Sequence, residues 1–163
     1  MKFPRTIQLD ISDLQVFPLA AEPGEWAVPG TFAFADSDPE QMDGKTQQAF
    51  LHGWLGTQSF GRSSLVEVAE IDERDFEQIV QRLAEHFVAQ YGAPDVEAAT
   101  PAARQEAEYA SDLAAHPVHT LLSVEREFTD EGIAERFRRI EPSRAESHAK
   151  IWDLLPDDVD DGA

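Results

Sequence analysis

The sequence predicts an α+β domain: a mostly antiparallel sheet of about four to six strands with two or three helices packed on one face. Three observations carry this. Apolar residues alternate with period two over Arg5–Asp10 and again over Ser64–Ile71, as in half-buried strands. A run from Glu73 to Tyr91 places Phe76, Ile79, Val80, Leu83, Phe87 and Tyr91 at three-and-four spacing, the stripe of one buried helix face. Thr120–Glu141 folds on paper into one hairpin register that satisfies apolar and ionic pairs together.

In chain order, Ile7 and Leu9 share one face of the first strand, with Thr6, Gln8 and Asp10 on the other. A second apolar group, Leu14, Val16 and Phe17, ends at Pro18. Pro23-Gly24 and Pro29-Gly30 then mark two turns around Trp26, which reads as a plug that pins this loop onto the sheet. Thr31–Phe34 resumes a strand pattern. Asp38-Pro39 has the form of a helix start, and Lys45–Leu55 carries Ala49, Phe50, Gly53 and Trp54 on one side before Gly56 closes it.

The long helix has specified ends: Asp72 as cap, Asp75 at the positive end of the dipole, Gly92 as left-handed stop and Pro94 beyond it. Thr100-Pro101 opens a second helix, whose face of Ala103, Ala107, Ala110 and Leu113 suits close packing, and which runs to His116 before Pro117. For 120–141 two readings stand. In a hairpin closed by Thr129-Asp130-Glu131-Gly132, Phe128 faces Ile133, Arg126 faces Glu135, Glu125 faces Arg136 and Val124 faces Phe137. In a strand followed by a helix, Ile133, Phe137 and Ile140 fall at helical spacing but Gly132 weakens the start. The hairpin is preferred because a single register meets both demands.

The chain of 163 residues suits one core, so residues 1–142 are read as a single domain and 143–163 as an extension with an acidic, disordered end. Thirteen Lys and Arg against 32 Asp and Glu give a net charge of −19, which repels phosphate backbones and anionic lipid, so no nucleic-acid or membrane partner is expected. With no cysteine, disulfides, thiolate metal sites and thiol nucleophiles are excluded. There is no apolar signal core at the N-terminus and no spanning run, which gives a cytoplasmic expectation.

No signature of catalysis or phosphate binding is met, and no cofactor is expected. The richest segment is Phe50–Arg62. Its glycines permit close approach and its aromatics supply contact area, while His52 and Arg62 beside Trp54 could orient an anion. The same residues also read as core and turn positions. His116 and His119 are the weak candidates for metal, with no third ligand placed by any motif, and His86 reads as a boundary residue at the rim of the helix stripe. Ile151, Trp152, Leu154 and Leu155 form an apolar cluster stranded among polar residues, to be buried on its own domain, in a homodimer or on a partner protein.

Lys2-Phe3-Pro4-Arg5-Thr6-Ile7, Ala21–Gly30, Gly53-Trp54-Leu55-Gly56 and Arg136–Pro142 together resemble an uncharacterised bacterial family of unknown function. The resemblance spans about residues 2–142 and carries over no catalytic residues; it implies a bacterial cytoplasmic protein. The functional expectation is a small acidic accessory or protein-interaction protein without catalytic activity. The alternative is a small-molecule binding domain or enzyme with its site near Phe50–Arg62.

Overall fold

The computed structural model of the protein describes residues 1–8 and 13–140. The fold is α+β. Four antiparallel strands form the main sheet in the order β1–β5–β6–β7: β1 Lys2–Ile7, β5 Leu65–Glu70, β6 Leu121–Thr129 and β7 Gly132–Ile140. A smaller sheet joins β2 Ala27–Val28, β3 Trp54–Gly56 and β4 Arg62–Ser63. The sheets are tied by a bridge between Arg5 and Trp26 and by the Thr6 N–H on the Glu25 carbonyl at 2.8 Å.

The small sheet was not foreseen, and its position explains the core. Ala27 and Trp54 pack with Val66, Val68, Leu122 and Val124 of the main sheet, whereas their neighbours Val28 and Leu55 pack with the helices. Period-two alternation therefore sandwiches these short strands between two apolar layers. The helical layer is α3, Glu73–Tyr91, against α4, Val96–Leu113. Phe76, Ile79, Val80, Leu83 and Ala84 of α3 are buried there, the larger ones contributing roughly 1.5–3 kcal/mol each. Ala99, Ala103, Ala107 and Ala110 of α4 let the two helices approach closely.

The ends of α3 are as expected: the Asp72 carboxylate accepts the Asp75 N–H at 2.8 Å, and Gly92 stops the helix at φ 80°. α4 begins earlier than expected. Asp95 caps it through the Ala98 N–H, and Thr100 and Pro101 lie inside, with the Thr100 hydroxyl on the Val96 carbonyl. The hairpin of β6 and β7 has the expected register, with Phe128 opposite Ile133, Arg126 opposite Glu135, Glu125 opposite Arg136 and Val124 opposite Phe137.

Other expectations are corrected. The first strand begins at Lys2, and its expected end at Asp10 lies outside the described residues. Asp13–Val16 is one helical turn, α1. Thr31–Phe34 is a 3-10 turn, because Gly30 at φ 70° turns the chain and the Ala33 N–H returns to the Gly30 carbonyl. The helix expected up to Leu55 is α2, Gly44–His52. Asp43 caps it, while Asp38 caps a separate turn at Pro39–Gln41. Gly53 ends α2, which frees Trp54 and Leu55 to face opposite layers. Trp26 stands edge-on to Phe3 at 6.0 Å, half-buried over the helical layer, as a plug would.

Candidate functional site

The residues singled out around Phe50–Arg62 do not converge. Pairing sets Trp54 beside Ser63 and Leu55 beside Arg62, so Trp54 and Arg62 leave the strands on opposite faces. Trp54 is fully buried against Phe137 at 5.4 Å, its Nε1 without a hydrogen-bond partner among the described residues. His52 ends α2 with Nδ1 3.4 Å from the Val124 carbonyl. Arg62 is buried as well, and what it meets is backbone.

Arg62 and Arg126 form a brace beneath the Pro29-Gly30 turn. Arg126 projects inward from β6 in the row Leu122, Val124, Arg126. Its NH1 donates to the carbonyls of Phe50 at 2.8 Å and Gly53 at 3.0 Å, its NH2 to Pro29 at 2.5 Å and its Nε to the Thr31 hydroxyl at 2.7 Å. Arg62 donates to Gly53 at 3.1 Å, Gly30 at 3.1 Å and Pro29 at 3.3 Å. The carbonyls at the end of α2 lack partners within the helix and carry the negative end of its dipole, so a guanidinium is suited to them. Both cations also lie over the Phe34 ring, at 4.8 and 5.7 Å.

Burial, reinforced by the like charge of Arg126, lowers the Arg62 pKa to about 9. Burial also lowers Arg126, to about 10, against the pull of Glu135 and Glu106. Both stay charged at neutral pH. Two carboxylates answer them. Glu106 of α4 accepts the Gly30 N–H at 2.9 Å, and burial raises its pKa, helped by the neighbouring Glu135. Glu135 of β7 lies 3.7 Å from the Arg126 Nε and accepts the Thr31 hydroxyl at 2.5 Å and the Tyr109 hydroxyl at 2.9 Å. Burial, with that hydrogen bond, raises the Tyr109 phenol. Two guanidinium groups and two carboxyl groups close on one turn of backbone, with every guanidinium hydrogen bond but that of the Arg126 Nε to Thr31 going to a carbonyl oxygen.

A set of aromatic rings in mutual contact begins at Phe32, two residues beyond the same turn. Glu25 is buried, and its carboxylate gathers the loop after β3, accepting the Gln58 N–H at 2.8 Å, the Ser59 N–H at 2.9 Å, the Ser59 hydroxyl at 2.7 Å and the Glu22 N–H at 2.7 Å. This holds Phe60 at φ 57°, a left-handed conformation costly for a bulky side chain. Phe60 thereby stacks on His86 of α3 at 3.8 Å and 3°. Tyr91 lies 5.5 Å from His86, and Phe32 touches both Phe87, at 4.9 Å, and Tyr91, at 5.5 Å. Phe32, Phe60, His86 and Phe87 are half-buried and Tyr91 is 47% exposed. Burial, then the charge of Arg62, lowers the His86 pKa below its ordinary 6.5, which favours the neutral ring.

His116 and His119 have separate neighbours: His116 Nδ1 lies 3.3 Å from Arg139, and His119, at φ 79°, sets Nδ1 3.3 Å from Glu67. Among the described residues no three metal-ligating side chains cluster. Ile151, Trp152, Leu154 and Leu155 lie outside the described residues.

Sequence reasoning placed Arg62 in the richest segment but missed Glu106, Tyr91 and Phe32, and read Arg126 and Glu135 only as a cross-strand pair. One signal was present: alternation in β6 puts Arg126 at an inward position between Val124 and Phe128, where a charge needs partners.

Among the described residues no helix is long and apolar enough to cross a membrane. No curated protein and no solved structure matches the chain. A family model does match, over residues 1–152, ten residues past the boundary expected at 142. The chain belongs to that family, a family of unknown function designated DUF6505.

Proposed function

We propose that this is a non-catalytic accessory protein that binds a protein partner through the aromatic surface of Phe32, Phe60, His86, Phe87 and Tyr91. The observation that carries the reading is the contrast between this surface and the polar cluster behind it. The guanidinium groups of Arg62 and Arg126 are committed to backbone carbonyls, leaving them as supports for the fold. The aromatic rings are contiguous and partly open to solvent, and Phe60 is held there in a strained conformation. Aromatic residues dominate the centres of protein interfaces because they offer large contact area at low entropic cost. The net charge of −19 selects against acidic partners.

The test is affinity recovery from the native source with the wild-type chain and with a Phe60→Ala/Tyr91→Ala double variant. A specific protein recovered with the first and lost at least tenfold with the second, both showing the same far-UV spectrum and thermal midpoint, supports the reading. Equal recovery with both variants removes it. A second reading, a small-molecule site, draws on the stacking of Phe60 and His86 beside Arg62. It predicts a bound compound released on denaturing the purified protein, and retention of that compound lost in Phe60→Ala.

A further inference from the structure

Within the aromatic surface, His86 is the residue whose charge changes near neutral pH. Its ring and that of Phe60 are parallel, 3.8 Å and 3° apart, and both are half-buried, with Tyr91 5.5 Å from the imidazole. A partner that closes over Phe60 therefore takes the imidazole out of water as well. The stack is pinned from the loop side, where the Glu25 carboxylate accepts the Ser59 N–H at 2.9 Å and the Ser59 hydroxyl at 2.7 Å and Phe60 keeps its left-handed backbone. Swinging the imidazole out to hydrate a charge would break that stack.

The groups around His86 do not favour a charge on it. Arg62, from β4, is a buried cation held on the carbonyls of Pro29, Gly30 and Gly53, and its charge adds to burial in keeping His86 below 6.5. The loop after β3 brings Phe60 and, behind it, Glu25, whose carboxylate is taken up by the N–H groups of Glu22, Gln58 and Ser59. On α3 itself Arg82 stands one turn before His86, and the preceding Glu85 accepts the Gln81 amide at 2.9 Å. The net charge of −19 sets the partner's side of the contact, because it repels an acidic segment. An apolar patch is what suits two stacked rings.

We propose that the protein partner seats an apolar patch, free of carboxylates, on the Phe60–His86 stack, so that it binds the neutral imidazole and is released when His86 takes up a proton. The inference rests on the reading of the aromatic rings as a binding surface and adds the chemistry of the contact and its regulation. Covering His86 with apolar surface disfavours the imidazolium further, so the complex binds fewer protons than the free chain. Affinity is then full above the His86 pKa and falls as pH drops through it, approaching about tenfold for each pH unit below. A carboxylate placed over His86 would give the opposite sign.

The test uses the full chain, immobilised and loaded with a lysate of the native source at pH 7.5, then washed in steps to pH 5. The His86 ring is titrated by NMR in the free chain. The expected results are a His86 midpoint below 6.5 and retention of the recovered protein at least threefold lower at pH 5 than at pH 7.5. In His86→Phe, and in His86→Gln if the first fails to fold, the ratio of protein retained at the two pH values is expected to stay near one, whatever the amount held at pH 7.5. A His86 midpoint at or above 6.5, equal retention by the wild type at both pH values, or acid release that persists in the His86 variants overturns the proposal and leaves the binding surface standing. Recovery of no protein at pH 7.5 overturns the binding reading, and the proposal with it.

Discussion

At Arg126 a fully buried guanidinium is tolerated because each side of it finds an acceptor: carbonyls from α2 and the Pro29 turn, the Thr31 hydroxyl, and the Glu135 carboxylate beyond. Glu106 is in the reverse position. Its carboxylate keeps the Gly30 N–H, yet burial holds its folded pKa above the ordinary 4.5. Between those two values the folded protein binds more protons than the unfolded chain, so this group's contribution to stability is greatest below pH 4.5 and falls as pH rises through the raised pKa. Denaturant midpoints of wild type and Glu106→Gln, measured from pH 4 to pH 8, should show that decline in wild type and a flatter profile in the variant, whose amide oxygen still accepts the Gly30 N–H. Parallel profiles would show that Glu106 ionises as freely in the fold as out of it.

At the scale of elements, legibility in the sequence tracked locality. α3 could be read with both ends because its cap, stripe and stop sit within one segment, and the hairpin of β6 and β7 could be read because its partners are neighbours along the chain. α2 could not, since its end is fixed by Gly53 and by an arginine 76 residues away that binds the Phe50 carbonyl. The small sheet was hidden for the same reason. Its strands are two or three residues long, too short for any period to show, and they exist because Trp54 and Leu55 are claimed by different layers. The candidate site was legible only as a rich stretch of sequence; its aromatic partners on α3 and its acids on α4 and β7 arrive through tertiary structure. Arg126→Met should therefore unfasten α2 from the turn at Pro29, costing about 3–5 kcal/mol in denaturant unfolding. Arg126→Lys should recover little, because one ammonium cannot span carbonyls spread over both elements. Full recovery by lysine would show that charge alone is needed there.

For the whole molecule, the main sheet, the small sheet and the α3–α4 layer are knit together beneath a strongly acidic exterior. The charged groups inside hold backbone in place, and the partly open aromatic rings lie over the helical layer, where Phe60 is kept in a costly conformation by Glu25. The division of labour we propose, with an ionic interior serving the fold and an aromatic surface serving recognition, is most directly tested by hydrogen–deuterium exchange on the chain alone and in complex with the partner it recovers. Protection concentrated in Thr31–Phe34, Thr57–Gly61 and His86–Tyr91 is the predicted result. Protection confined to other segments, with those three unchanged, would contradict it.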